Sequence, residues 1–447
     1  MPDYARDTIV AAATPPGKGG IGIVRISGDD TKKLAAAMLG DLPQPRLATN
    51  AKIHDKNGAE LDSGIALYFP GTASYTGEPV LEFHGHGGPV VVSSIIDAAV
   101  ELGARRAEPG EFSKRAFLNG KLDLVQAEAI ADLIDSGTSQ AARAALRSLS
   151  GSFSHAVENL QQQLANLRLH VEAAIDFPEE EIDFLSDRDL LKKIDECAAA
   201  FEKLQRETNI GRVLRDGLQF VIVGKPNAGK SSLLNLLSGQ EAAIVTEVAG
   251  TTRDILRERI EIDGLAVELV DTAGLREDPD RIEAEGIRRA REALKNADGV
   301  LWIKDASEGE SGTPEEKTPE GIPVIVLRNK IDITGDEAGP LKDDAHTLNV
   351  SAKSGAGIDA LRETIRRLAG YKDLGEGAFT ARRRHVDAIE LAAKHFERGR
   401  QALDKKKAGE LFAEDLRASH EALGEITGSF SSDDLLGRIF SEFCIGK

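Results

Sequence analysis

The spacing of apolar positions changes along the chain, and each change predicts a different kind of element. Ile21-Gly-Ile-Val-Arg-Ile26 and Gly64-Ile-Ala-Leu-Tyr-Phe69 alternate in the manner of strands. Pro89 to Leu102 reads as a helix that ends at Gly103. Prolines crowd the stretch before residue 110, which is therefore turn-rich and mixed in character. From 121 to 210 the chain is rich in Ala, Leu, Gln and Glu, and Leu160, Leu164, Leu167 and Val171 follow a helical period. Pro178 with Glu179, Glu180, Glu181 and Asp183 reads as a solvated helix start, with carboxylates at the positive end of the dipole.

Beyond residue 215 the period changes again. Phe220–Val223, Val267–Val270, Val300–Ile303 and Pro323–Leu327 are short apolar runs separated by helical stretches. That alternation predicts a mostly parallel sheet covered on both faces. Residues 376–447 return to proline-free helical character. The expected fold is multidomain α/β. It comprises an α+β N-terminal domain over 1–120, a helical domain split into 121–214 and 373–447, and an inserted P-loop domain over 215–372.

Composition narrows the function classes. The 447 residues carry a formal charge of −18, which argues against a protein that coats nucleic acid by bulk positive charge, though not against a local RNA site. Aromatics make up only 4%, too few for base-stacking platforms. Two cysteines, Cys197 and Cys444, build neither a disulfide framework nor a cysteine metal cluster, so a reducing cytosol is expected. The apolar run Ile9 to Ala13 is too short for a signal peptide, and no run nears the ~18 residues of a membrane helix.

The sharpest chemical signal is Gly224-Lys-Pro-Asn-Ala-Gly-Lys-Ser231, between an apolar strand and the helical run Ser232-Leu-Leu-Asn-Leu-Leu237. Glycines there let backbone N–H groups approach phosphates at a helix N-terminus. Lys230 would reach the β- and γ-phosphates, and the Ser231 hydroxyl would bind Mg²⁺. Asp271-Thr-Ala-Gly274 follows the next apolar strand. Asn329-Lys-Ile-Asp332 follows another, where a carboxylate can accept from guanine N1 and N2, donors that adenine lacks. Ser351-Ala-Lys353 supplies a backbone N–H for guanine O6. In this order the four motifs specify GTP.

Two departures from small switch GTPases matter. Leu275 stands where a glutamine would orient the attacking water, so another group must do so, with Glu283 and Glu285 nearby. Asn227, inside the phosphate loop, either forms a turn or offers an amide oxygen to a monovalent cation. Such a cation would replace an arginine finger, whose contribution is about 10³–10⁵ in rate.

The phosphate loop, Gly250-Thr-Thr-Arg-Asp254, Asp271–Leu275, the terminal Cys444-Ile-Gly-Lys447 and the N-terminal Gly19-Gly-Ile-Gly-Ile-Val-Arg-Ile-Ser-Gly28 together resemble the MnmE (TrmE) family of tRNA modification GTPases over the whole chain. The resemblance implies a homodimer whose G domains meet when GTP and K⁺ are bound. It places nucleotide contacts on Asn227, Ala228, Gly229, Lys230, Ser231 and Ser232. Further contacts fall on Thr246, Glu247, Val248, Ala249, Gly250, Thr251 and Thr252, and on Asp271, Thr272, Ala273 and Gly274. The base site takes Asn329, Lys330, Asp332, Ser351, Ala352 and Lys353. K⁺ falls on Asn227, Thr246, Val248 and Thr251, Mg²⁺ on Ser231 and Thr252, and the water-orienting carboxylate on Glu283. Catalysis would rest on Glu283, Lys230 and Asn227.

A tetrahydrofolate derivative (5-formyl or methylene) would contact Arg25, Glu82, Lys121 and Lys447. A flavin- and NADH-using partner, MnmG, would join it in adding an aminomethyl or carboxymethylaminomethyl group to carbon 5 of the tRNA wobble uridine, in the cytoplasm. The other reading of the same G motifs is a GTP-dependent binding switch for ribosome or assembly factors.

Other motifs carry less. Gly17-Lys-Gly-Gly-Ile-Gly22 precedes a strand and not a helix, so it is no dinucleotide fingerprint. His84 and His86 are too sparse for a metal site and read as a structural or pocket-lining pair. Cys444 lies three residues from Lys447, as an inert small residue or as a nucleophile. Arg382–Arg384 and Lys405–Lys407 are compact basic clusters, more simply solvated helix faces than tRNA contacts.

Overall fold

The computed structural model describes residues 7–176, 188–225, 227–240, 257–271, 297–308, 322–342, 344–368, 377–406, 408–429 and 433–446. The chain divides into two compact units, residues 1–131 with 423–447 and residues 132–422.

The first unit opens with β1 (Ile9–Ala12), β2 (Gly19–Ser27), α1 (Thr31–Leu39), β3 (Thr49–His54), β4 (Glu60–Phe69), β5 (Val80–Gly87), α2 (Pro89–Glu101), β6 (Arg105–Arg106), α3 (Glu111–Leu118) and α4 (Leu124–Asp135). Both alternating runs of the sequence are strands, and the helix expected from Pro89 starts there with proline in its first turn. The sheet order is β3-β4-β5-β2-β1-β6, antiparallel except for the β1–β6 pair. Its core gathers Val24, Ile26, Leu34, Met38, Leu81, Phe83 and Ile95. Beside it Arg115 is wholly buried and donates to the Asp7 carboxylate at 2.7 Å and to Glu78 Oε2 at 2.9 Å. A buried guanidinium is tolerated because it is paired in this way.

The second unit continues with α5 (Ser139–Leu149), α6 (Ser152–Asp176), α7 (Arg188–Asp216), β7 (Leu218–Gly224), α8 (Lys230–Gln240), β8 (Arg257–Ile262), β9 (Leu265–Asp271), β10 (Gly299–Asp305), β11 (Val324–Asn329), the single turn α9 (Ile331–Thr334), β12 (Gly339–Leu341), β13 (Asp344–Asn349), α10 (Ile358–Leu368) and α11 (Arg383–Lys406). The chain closes with α12 (Gly409–Thr427) and α13 (Asp433–Ser441). Leu436, Ile439 and Phe440 of α13 pack with Leu124 and Ala127 in the first unit.

The second sheet runs β12-β13-β11-β10-β7-β9-β8, with parallel pairs from β13 to β9 and antiparallel pairs at both edges. Phe220, Ile222, Leu237, Leu301 and Leu327 fill one face, and Val221, Val223, Val270 and Val300 the other. That two-sided burial is why these strands read as unbroken apolar runs.

The sheet enters and leaves the helical part of its unit at one place. Helix α7 passes into β7 through Gly217 at φ +78°, where a Cβ would meet Ala266 O at 2.6 Å. The returning segment is held by Ser148, whose Oγ donates to Thr380 O at 3.0 Å and accepts from Thr380 N at 2.9 Å. Phe379 stacks on Phe153 with centroids 4.4 Å apart. Buried Asp132 Oδ1 accepts from Arg215 Nε and Arg382 Nη2, each at 2.8 Å. Arg382 is thus a buried ion-pair member and not part of a solvated basic face, because the chain's return past α7 brings it to a carboxylate that needs compensation. Arg383 does face solvent.

Candidate functional site

Strands β7, β10 and β11 end in step, with Ile303 opposite Gly224 and Asp305 opposite Asn329. Phosphate loop and base motif therefore emerge side by side at the carboxyl edge of a parallel sheet, where such folds bind ligands. Gly224 is at φ +156° and Gly229 at φ +97°. A Cβ on Gly224 would meet Ile303 O at 2.4 Å, and one on Gly229 would meet Asn329 Nδ2 at 2.1 Å. Asn227 adopts φ +65°, a left-handed conformation that asparagine enters more readily than most residues. The buried Lys230 ammonium donates to Gly224 O at 2.8 Å and Lys225 O at 2.9 Å, so it lies within the loop. Ser231 and Ser232 are exposed in the first turn of α8.

Asn329, also buried, joins the loops. Its Nδ2 donates to Ala228 O at 2.8 Å, and its Oδ1 accepts from Ala352 N at 2.9 Å. The buried Ser351 hydroxyl donates to Asp332 Oδ1 at 2.6 Å, which orients a carboxylate that is otherwise exposed. Lys353 is exposed beside it. The three segments Asn227–Ser232, Asn329–Asp332 and Ser351–Lys353 thus form one hydrogen-bonded surface. Strand β9 ends at Asp271, and Ile222 faces it. Thr246, Glu247, Val248, Ala249, Gly250, Thr251, Thr252, Thr272, Ala273, Gly274, Glu283 and Glu285 lie outside the described residues, as do Pro178–Asp183 and Lys447.

The sequence reading passed over Asp305. Its Oδ2 accepts from Lys330 Nζ and its Oδ1 from Ser307 N at 3.0 Å and Ser307 Oγ at 2.6 Å. The Lys330 ammonium, followed by the Ser307 bonds, lowers its pKa to about 2. The place of Asp305 at a strand end was visible in the sequence, but its position opposite Asn329 depends on strand pairing.

A second cluster lies in the first unit. Arg25 stands between Ala11 and Glu82 across β1, β2 and β5. Its Nε donates to Glu82 Oε1 at 2.8 Å, and its guanidinium lies 5.3 Å from the Tyr75 ring centroid and 5.6 Å from that of Phe112. His84 Nε2 lies 3.3 Å from Glu82 Oε2, and His86 Nδ1 lies 2.7 Å from Asp62 Oδ1. Lys121 Nζ donates to Thr72 O at 3.0 Å. Loop 71–78 therefore meets Lys121 at Thr72 and Arg25 at Tyr75. The C-terminal tail reaches the same sheet. Gly446 at φ +96° is so close that a Cβ would meet Ala12 O at 1.9 Å, and Cys444 O accepts from Gly110 N at 3.3 Å. Tyr75 and Phe112 carried no motif, because strand pairing and a loop bring them to Arg25, whereas His84 had already stood out as one of a histidine pair.

Among the described residues no three His, Cys, Asp or Glu side chains gather as a metal site, and no described helix is long and apolar enough to cross a membrane.

Comparison with known proteins adds a family pattern. The model of the MnmE helical domain matches residues 124–444, and that of the GTP-binding protein TrmE N-terminus matches residues 8–121. The chain is 54% identical to the tRNA modification GTPase MnmE of Pseudomonas syringae pv. tomato, over 99% of both chains. It is 53% identical to the protein of that name from Stutzerimonas stutzeri and to that from Erwinia tasmaniensis, again over 99% of each. The G domain of the T. maritima FeoB iron transporter aligns at 23% identity and a TM-score of 0.25, covering 34% of this chain and 98% of that one.

Proposed function

Because this chain belongs to the MnmE family of tRNA modification GTPases, we propose that it hydrolyses GTP to GDP and phosphate in order to drive modification of a tRNA wobble uridine. The observation that carries this reading is Asn329, which ties the phosphate loop at Ala228 to the guanine-reading loop at Ala352. Nucleotide binding would exchange the Gly224 and Lys225 carbonyls on Lys230 for β- and γ-phosphate oxygens, so the ammonium is already inside the cradle. Asp332 would accept from guanine N1 and N2, and the Ala352 region would serve O6. Glu283 would orient the attacking water, since Leu275 has no polar atom to do so.

Two cations fit the donor chemistry. Ser231, in the first turn of α8, offers a hydroxyl suited to Mg²⁺, with Thr252 as its companion. Asn227 offers a neutral amide oxygen from a left-handed loop position, suited to K⁺ together with Thr246, Val248 and Thr251. Mg²⁺ and K⁺ would supply positive charge where the phosphates gain negative charge.

In the first unit, the Glu82 carboxylate suits the paired N–H donors of a pterin, and Lys121 and Lys447 suit the carboxylates of a folate tail. A tetrahydrofolate derivative, 5-formyl or methylene, would supply the one-carbon unit. Arg25 holds Glu82 in place, and Cys444 on the adjoining tail is a further group within this region. We read 1–120 as the folate-binding and dimerisation domain, 121–214 with 373–447 as the helical domain and 215–372 as the G domain. The protein would act in the cytoplasm as a homodimer, with MnmG supplying flavin and NADH chemistry and tRNA as substrate.

GTP turnover in K⁺ compared with Na⁺ at equal ionic strength tests the cation assignment. Faster turnover in K⁺ by about 10-fold or more, abolished by Asn227→Ser, is expected from the share of barrier lowering a finger-like cation supplies. Equal rates in the two salts would remove K⁺ from the mechanism.

A further inference from the structure

The structure assigns a positioning role to Asp305: we propose that it holds the Lys330 side chain at the base site and so sets how long a guanine nucleotide stays bound. This rests on reading Asn329–Asp332 as the guanine-recognising segment. Asp305 ends β10 directly opposite Asn329, so its carboxylate belongs to the same sheet edge as that segment.

Both carboxylate oxygens are engaged. Ser307 holds Oδ1 through its backbone N–H and its hydroxyl, leaving Oδ2 for the Lys330 ammonium. The Ser307 bonds fix the acceptor before the lysine arrives, so the pair does not depend on two freely moving side chains. Such freedom is what makes ordinary surface ion pairs contribute little. The carboxylate side chain is 11% exposed, which limits screening as well.

Lys330 is constrained at both ends. Its backbone sits at φ +70°, a conformation that L residues adopt only when their surroundings impose it. Its Nζ is anchored on Asp305. The four methylenes between are therefore held at the ends of two adjacent strands, as an apolar rail on which a planar base can lie. Asp332 and the Ala352 region address the edges of the base, whereas Lys330 addresses its face. Without the anchor, the lysine regains its rotamers in the empty site, and each binding event must order them again. The turn after β10 also reaches the phosphate loop, since Glu308 lies 3.6 Å from Lys225 Nζ. The Asp305 turn thus touches the loops at both ends of the nucleotide.

The test uses the full chain and a fluorescent GDP analogue, with dissociation followed by stopped flow. Asp305→Asn keeps an acceptor for Ser307 and loses the attraction for the ammonium. We expect dissociation rate and Kd to rise about tenfold, the scale of one charge-assisted hydrogen bond. The KM for GTP should rise with them, while kcat at saturation stays within about twofold. Asp305→Glu should restore part of the affinity. In a Lys330→Met background, Asp305→Asn should add nothing. An unchanged off-rate in folded Asp305→Asn, a parallel fall in kcat, or an undiminished effect without the lysine would overturn the proposal. Should Asp305→Asn fail to fold, an off-rate for Lys330→Met equal to wild type would overturn it instead. Failure of the wild-type chain to prefer the guanine analogue over its adenine counterpart would refute the base-site reading itself, an outcome the wild-type control separates from the others.

Discussion

At the scale of single residues, candidates were legible where type and spacing both mattered. Lys230, Asn329 and Asp332 were readable as candidates because a phosphate loop and a base site each need particular groups at fixed offsets from a strand end. Asp305 was not, since its role depends on which strand lies beside it. Asp332→Asn should lower GTP affinity about 100-fold, through loss of an acceptor for two guanine donors, and raise affinity for XTP. Competition binding with GTP, ITP and XTP checks this, and unchanged discrimination would remove Asp332 from the base site. The two cysteines should also differ. Cys197 is buried, and desolvation pushes its thiol pKa up to about 12, whereas Cys444 is exposed. Alkylation at pH 8 should label Cys444 in the native chain and both cysteines only in denaturant, as read by mass spectrometry. Because burial raises the Cys197 pKa from 9.0, its contribution to stability is fully present below pH 9 and fades as pH rises towards about 12.

Elements were legible where a periodic pattern met clear punctuation. Helix α2 begins at the proline that announced it, and the parallel strands are the continuous apolar runs that two-sided burial demands. Joints between elements had no local signal. Asp132 and Arg382 are 250 positions apart, and Arg115 meets Asp7 across 108. Buried ion pairs of this kind form only after the chain has folded back on itself. Asp132→Ala should therefore be costly, since Arg215 and Arg382 lose their shared carboxylate in a largely buried setting. Destabilisation of about 3 kcal/mol is expected, within the range for breaking a buried pair. Urea unfolding of the full chain measures it, and a midpoint unchanged from wild type would show that the joint is dispensable.

For the whole molecule, the sequence pattern pointed to an α/β sheet inserted among helices, and the described architecture has that form. Apolar patterning gave no sign that residues 423–446 rejoin the N-terminal sheet, because α13 looks like any other amphipathic helix, and only the family resemblance grouped Lys447 with Arg25 and Glu82. That return brings Gly446 to β1, the strand that pairs with Arg25, and Cys444 to Gly110. Two clusters of different chemistry thus belong to one chain, a proposed GTP site on the second sheet and an Arg25–Glu82 cluster on the first. In our account the first drives chemistry at the second. Nucleoside analysis of tRNA from cells lacking this chain addresses that account most directly. The carboxymethylaminomethyl group should be missing from the wobble uridine, return with the wild-type chain, and stay missing with Lys230→Ala. Full modification in the absence of the chain, or its return with Lys230→Ala, would contradict the account.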